Sequence, residues 1–269
     1  ENRQEIIVCE NNFHGRTVTI ITMSTEPSAR RGFGPYTPGF VQIPFGDAAA
    51  LENAVTTHTV AFLFEPVQGE AGVIVPPDGY LKAVRDICTR HNVLMVADEI
   101  QTGLARTGRM FACMHEDVVP DIYILGKALG GGILPVSAVA AGRDILGVYE
   151  PGSHGSTFGG NPLACAVALK AMEILVRDDY PAQAAEKGAY FLRELRTVDN
   201  PDIKEIRGKG LLIGVEFKGS AGPYVERLKA NGVLAKETHK TTIRLAPPVN
   251  IPADRLADAV RRVKTAFTL

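Results

Sequence analysis

The sequence predicts an α/β protein: a mostly parallel sheet flanked by helices, followed by a smaller C-terminal α/β domain. Three features of the 269 residues carry that reading. Short, continuously apolar runs recur, as expected of strands buried on both faces. Segments of helical period separate them, and strand–helix–strand order implies parallel pairing through right-handed crossovers. Polar residues follow the apolar runs, where such sheets bind ligands beyond the carboxyl ends of their strands.

Taken in order, Ile6-Ile7-Val8-Cys9 is the first strand-like run. Ala61-Phe62-Leu63-Phe64 is the next, ended by Glu65-Pro66, and a turn-rich stretch leads to Pro77-Asp78-Gly79. Tyr80 to His91 reads as an amphipathic helix with Leu81, Val84, Ile87 and Cys88 on its apolar side. Two further strands follow: Val93 to Ala97, ending at Asp98-Glu99, and Ile122 to Leu125, ending at Gly126-Lys127. Val136 to Ala140 reads as a fourth member of this set. Asn161-Pro162 opens a long helix to about Val176, with proline in the first turn, where its missing N–H costs nothing. Ala182 to Leu195 is helical, and Ile203 to Phe217 reads as strand–turn–strand around Gly208 and Gly210. Pro223 to Asn231 is a helix ended by Gly232, Thr242 to Leu245 a strand, and Ala253 to Phe267 a final amphipathic helix. Residues 1–174 are thus expected to form a large domain and 175–269 the smaller one.

Bulk composition excludes several classes of function. A net charge of -1 gives no global attraction to nucleic acid or anionic lipid. No apolar run reaches the roughly 20 residues of a membrane-spanning helix. Cys9, Cys88, Cys113 and Cys165 form no C-x-x-C pair or zinc spacing, which suits reduced thiols in the cytoplasm. The histidines form no H-E-x-x-H motif, so no metal site is expected. The chain opens at Glu1 and runs at once into an apolar strand, from which it is expected to begin inside a domain.

Three polar residues stand at strand ends: Glu65, Asp98 and Lys127. Lys127 precedes Gly130-Gly131-Gly132, which raises a phosphate-binding P-loop. That reading fails, because the motif needs glycine at 121 and Ser or Thr at 128, where the chain has Asp121 and Ala128. A surface lysine remains open, as does a desolvated, nucleophilic amine able to form an imine with an aldehyde. Asp98, one strand away, suits the second alternative. A carboxylate at the ring nitrogen of pyridoxal phosphate (PLP) keeps that nitrogen protonated and the ring electron-accepting.

Seven ordered segments make the pattern specific: NNFHGRT (11–17), EPVQGEAGVIVPP (65–77), VADEIQTGLARTGRMFA (96–112), DIYILGKALGGGILPVSAV (121–139), GSHGSTFGGNPLACAVA (152–168), IRGKGLLIGVEF (206–217) and IRLAPPV (243–249). Together they resemble the class III aminotransferases of PLP fold type I, most closely the members that use ornithine. The resemblance implies that Lys127 forms the Schiff base to PLP and shuttles a proton, and that Asp98 pairs with the ring nitrogen. It places Gln101 at the ring hydroxyl, Phe13 on one ring face and Ile100 on the other. Ser156 and Thr157 correspond to the segment that reaches the cofactor phosphate of a neighbouring subunit, which implies a homodimer with shared active sites.

Arg16, Glu70 and Arg244 match the substrate-selecting residues. By resemblance, Arg16 holds the α-carboxylate of ornithine and Arg244 a carboxylate of glutamate or 2-oxoglutarate, which guanidinium grips bidentately. Glu70 masks Arg244 while ornithine is bound and releases it for the dicarboxylate. The implied reaction moves the δ-amino group of L-ornithine to 2-oxoglutarate, giving glutamate semialdehyde and glutamate. The family's N-terminal phosphate-cradling loop and a substrate-binding tyrosine have no counterpart in these residues, so weak PLP binding by this chain alone is expected. Two alternatives stay open: a related class III enzyme acting on acetylornithine or 4-aminobutyrate, and an inactive fragment.

Overall fold

The computed structural model describes residues 3–268. Its first half is built as β1 (Glu5–Cys9), α1 (Val18–Met23), α2 (Pro27–Arg30), β2 (Phe40–Ile43), α3 (Ala48–Ala54), β3 (Thr59–Phe64), α4 (Tyr80–Arg90), β4 (Leu94–Asp98), β5 (Ile122–Leu125), β6 (Ala138–Ala141) and α5 (Arg143–Leu146). The second half holds α6 (Pro162–Arg177), α7 (Tyr180–Leu195), β7 (Ile203–Lys209), β8 (Leu212–Phe217), α8 (Gly222–Ala230), β9 (Lys236–Thr238), β10 (Thr242–Leu245) and α9 (Ala253–Phe267).

The apolar runs assemble into one sheet of order β2-β1-β3-β4-β5-β6, parallel throughout except for β6, which pairs antiparallel with β5. Continuous hydrophobicity is needed because successive side chains serve opposite faces. Ile7, Phe62, Phe64 and Met95 pack with Leu81, Val84 and Ile87 of α4 and Leu51 of α3 on one face. Val8, Ala61, Leu63 and Val96 pack with Met23 on the other. The fourth expected strand therefore exists, displaced to 138–141, but it reverses direction. Only a single 3-10 turn, Lys127–Gly130, lies between β5 and β6, too short for the crossover that a parallel neighbour needs.

Between residues 10 and 58, β2 and the helices α1 to α3 carry no clear signal in the sequence, because each is too short for its period to emerge. The long helix α6 begins where Asn161 caps it: the Asn161 side chain accepts the N–H of Ala164 at 2.8 Å. Its inner side places Ala168, Met172 and Leu175 against Leu125 and Leu129. The helix runs to Arg177, so a division near residue 175 falls within its last turn, and the chain changes direction at Asp179, φ +47°.

A second, antiparallel sheet of order β7-β8-β10-β9 follows. Here the side chains that enter the helical core alternate along each strand. Ile213, Val215, Phe217, Ile243 and Leu245 meet Phe191 of α7, Leu228 of α8 and Val260 and Phe267 of α9. The opposite face of the same strands looks toward the 65–77 segment of the first unit. Thr242 and Gly214 approach Gly72 there, and Arg207 of β7 donates to the backbone oxygens of Gly72, at 2.9 Å, and Val73, at 3.0 Å. That face delivers charged side chains to the carboxyl end of the parallel sheet.

Candidate active site

The strand-end carboxylates are held at defined atoms. Asp98 closes β4 and is 4% exposed. One of its oxygens accepts the N–H of Ile100 at 3.1 Å; the other lies 2.7 Å from His14 Nδ1. His14 Nε2 is buried without a hydrogen-bond partner. Glu65, just past β3, accepts the N–H of Phe13 at 3.0 Å and that of Gly69 at 3.4 Å. Burial raises the Glu65 carboxyl to about 7, against the lowering effects of His14 and of the Phe13 N–H. The 11–17 loop is therefore fastened to both strand ends, through Phe13 to Glu65 and through His14 to Asp98.

Register brings Lys127 beside them. Asp98 pairs with Ile124 of β5, and the chain passes through Leu125 and Gly126 to Lys127. Lys127 sits at φ +45°, a left-handed conformation that costs a residue with a side chain about 1 kcal/mol or more. The residue keeps exposed surface, yet enough protein surrounds the amine to lower its basicity. Desolvation is the main cause; Arg244 adds to it, while Glu70, Asp98 and Glu65 oppose it. These four charged groups converge on one amine although they come from three separate stretches of sequence.

The outer wall is an ion-pair cluster. Arg244 Nη1 donates to Glu70 Oε1 at 2.6 Å and to Gln101 Oε1 at 3.2 Å, and the Gln101 amide donates to Glu70 Oε1 at 3.4 Å. Burial would raise the Glu70 carboxyl, but Arg244, Gln101 and the charge of Lys236 together lower it. Alternation along β10 explains why Arg244 is available: Ile243 and Leu245 enter the helical core, so Arg244 points to the opposite face. A Cβ at position 69 would lie 1.5 Å from Gln101 Oε1, so glycine there leaves the Gln101 amide room to sit against Arg244 and Glu70.

Arg16 is exposed, with its guanidinium 5.3 Å from the centroid of the Phe13 ring. Together with Asn12, Phe13, Glu70, Lys236 and His239 it lines a cavity of about 250 Å³. Ile100 packs beside Gly126, on the approach to Lys127. Ser156 and Thr157 stand apart on an exposed segment, where the Ser156 hydroxyl accepts the N–H of Gly159 at 3.0 Å. The chain thus gathers Phe13, Arg16, Glu70, Asp98, Ile100, Gln101, Lys127 and Arg244 around one region, and leaves Ser156 and Thr157 outside it. His14 and Glu65 also belong to this region. Glu65 was visible as a strand-end residue; nothing in the sequence paired His14 with Asp98.

The site can do amine chemistry. It combines an amine of reduced basicity, a buried carboxylate one strand away, an aromatic ring and two guanidinium groups. The donor set is of the kind PLP requires: a buried carboxylate to meet a ring nitrogen, an amine to meet an aldehyde, and apolar side chains to cover flat ring faces.

Comparison with known proteins agrees. An ornithine aminotransferase of Geobacillus sp. (strain WCH70) is 57% identical over 267 residues, covering 99% of this chain and 67% of that protein. The ornithine aminotransferase of Bacillus subtilis (strain 168) is 55% identical over 264 residues, covering 98% and 66%. Among solved structures, the ornithine aminotransferase of Toxoplasma gondii, described with partial occupancy of PLP at its active site, superposes with a TM-score of 0.96 at 46% identity, covering 98% of this chain and 63% of that one. The acetylornithine aminotransferase of Elizabethkingia anophelis gives 0.87 at 48% identity, covering 99% and 67%. The chain therefore spans about two thirds of the length of the relatives it matches. The Aminotransferase class-III family model matches residues 1–267, and the chain belongs to that family.

Proposed function

We propose that the protein is a PLP-dependent ornithine δ-aminotransferase, moving the δ-amino group of L-ornithine to 2-oxoglutarate. The observation that carries this reading is the 2.6 Å pair between Glu70 and Arg244 beside Lys127. A site that takes a cationic diamino acid and a dicarboxylate in turn needs a carboxylate-binding arginine that can be masked. With Glu70 on Arg244, the charge of that arginine is masked and it does not bind a second carboxylate. With Glu70 turned aside, Arg244 presents two N–H donors to the dicarboxylate.

PLP, when bound, supplies an aldehyde for amine exchange and a ring that accepts electrons from the carbon losing its proton. The chain's own residues do the rest. Asp98 holds a proton at the ring nitrogen, and His14 orients Asp98 from behind. Gln101 would meet the ring hydroxyl, while Phe13 and Ile100 would cover the two ring faces. Arg16 grips the α-carboxylate of ornithine and so directs the δ-amino end toward Lys127. The Lys127 amine, lowered in basicity by desolvation, would serve as the base that takes the proton from the amine-bearing carbon.

Ser156 and Thr157 serve the cofactor phosphate of a second copy, which makes the working unit a homodimer. Exposed apolar side chains in the same part of the chain, Phe158, Leu163 and Leu169 among them, support a covered surface there. No helix among the described residues is long and apolar enough to cross a membrane. Four free cysteines fit the reducing cytoplasm as its compartment.

Absorbance of the protein with PLP tests the reading. A cofactor band that bleaches with L-ornithine and returns with 2-oxoglutarate is expected. A band that ignores ornithine but bleaches with acetylornithine or 4-aminobutyrate would replace the donor. No band in this chain or in one extended to the length of its relatives would refute the activity.

A further inference from the structure

The gate leaves a charge to be housed. When Arg244 turns to a substrate carboxylate, Glu70 loses its 2.6 Å partner while only partly exposed. An unpaired carboxylate in such a place is costly, and the Gln101 amide offers it no countercharge. A second cation within reach of the Glu70 side chain would remove that cost.

Strand register supplies one. Lys236 of β9 is the direct cross-strand partner of Arg244 in β10, and Thr238 is that of Thr242. Directly opposed residues project from the same face of a sheet, so Lys236 and Arg244 stand side by side over Glu70. The Thr238 hydroxyl donates to the backbone oxygen of Glu70, which anchors the main chain and leaves the side chain to pivot. Lys236 and Glu70 line the same cavity, together with Arg16. Among the described residues Lys236 has no carboxylate within 4.0 Å, so its ammonium group is uncommitted. The Lys236 charge already acts on the Glu70 carboxyl from this distance.

Building on the gate reading above, we propose that Lys236 is the alternate partner of Glu70, receiving its carboxylate when Arg244 binds the dicarboxylate substrate. Lys236 is a positioning residue: it touches neither the cofactor nor the reacting atoms, and it sets how readily the site changes from one substrate to the other. Its presence favours the dicarboxylate-ready arrangement, so its effect falls on 2-oxoglutarate more than on ornithine.

The test is binding of glutarate, a dicarboxylate with no reacting group, to the PLP-loaded protein by calorimetry, with half-reaction rates alongside. Lys236→Met is expected to weaken glutarate about fivefold, the scale of one partly exposed ion pair. It is expected to shift the ratio of the two half-reaction kcat/KM values in the same direction. Lys236→Arg restores both. In a Glu70→Ala background, Lys236→Met is expected to have no further effect, because the carboxylate it receives is gone. A change under twofold, or an equal loss in the Glu70→Ala background, would overturn the proposal, the latter by showing that Lys236 holds the substrate itself. If Glu70→Ala alone leaves donor and acceptor preference unchanged, the gate reading has failed and this proposal goes with it.

Discussion

Two residues at strand ends, Lys127 and Glu65, each make a separate prediction, one for turnover and one for stability. Lys127→Ala should abolish multiple turnover with ornithine and 2-oxoglutarate, because in the proposed function this amine both exchanges with the substrate amine and moves its proton. Steady-state product formation checks this, and retained turnover would remove Lys127 from the mechanism. Glu65 predicts a pH effect on stability. Burial raises its carboxyl from an ordinary value of 4.5 to about 7 in the folded protein. The folded chain then binds more protons than the unfolded one across that window, so this contribution is complete below pH 4.5 and lost as pH rises through 7. Wild type should therefore lose of the order of 2–3 kcal/mol more than Glu65→Gln between those limits, by denaturant unfolding at each pH. Parallel pH profiles would mean that Glu65 is not protonated when folded.

At the scale of elements, the site depends on how strands and helices begin and end. Helix α6 starts at Asn161, whose side chain satisfies a backbone N–H that no helical carbonyl can reach. Asn161→Ala should cost about 1 kcal/mol, read as a fall in thermal midpoint of about 2–4 °C. An unchanged midpoint would mean that water replaces the cap without loss. Arg207 of β7 holds a strained turn. Val73 is buried at φ +56°, which is unfavourable for a β-branched residue, and the Arg207 guanidinium caps the carbonyl oxygens on either side of that bond while pairing with Glu216 at 2.5 Å. Replacing it in Arg207→Met should destabilise the protein by about 2–3 kcal/mol in urea, because four partners lose a charged donor together. A neutral result would place the strain relief elsewhere.

At the scale of the whole molecule, the two sheets must be held in one relation, since Lys127 comes from the first and Arg244 from the second. Backbone contact does this. A Cβ added at Gly188 of α7 would lie 2.1 Å from the Gly210 oxygen, and one at Gly210 would lie 2.3 Å from the Thr107 carbonyl carbon. The β7–β8 turn is thus wedged between α7 and the 107–108 segment. Alanine normally stabilises a helix interior by about 1 kcal/mol over glycine. Here Gly188→Ala is expected to destabilise by about 2–3 kcal/mol instead, because backbone rather than a side chain blocks the added methyl group. Urea unfolding decides the sign, and a gain in stability would show that the two units can separate without cost.

The sequence by itself determined the parallel sheet, the helices long enough to show a period, and the ordered motifs that identify the family. Phe62, Phe64 and Met95 declare their strands because residues buried on both faces must all be apolar. The lysine and aspartate at adjacent strand ends were legible for the same reason: chemistry gathers where strands stop. β2 and the short helices α1 to α3 have neither a continuous apolar run nor a period long enough to read, and became visible only when packed. The reversal of β6 also needed the tertiary structure, since direction follows from the connection and not from composition. The same holds for the His14–Asp98 contact, the two N–H groups on Glu65 and the placing of Lys236 beside Arg244. Each joins residues far apart in the chain through sheet register and loop closure, and no local pattern encodes a distance between them.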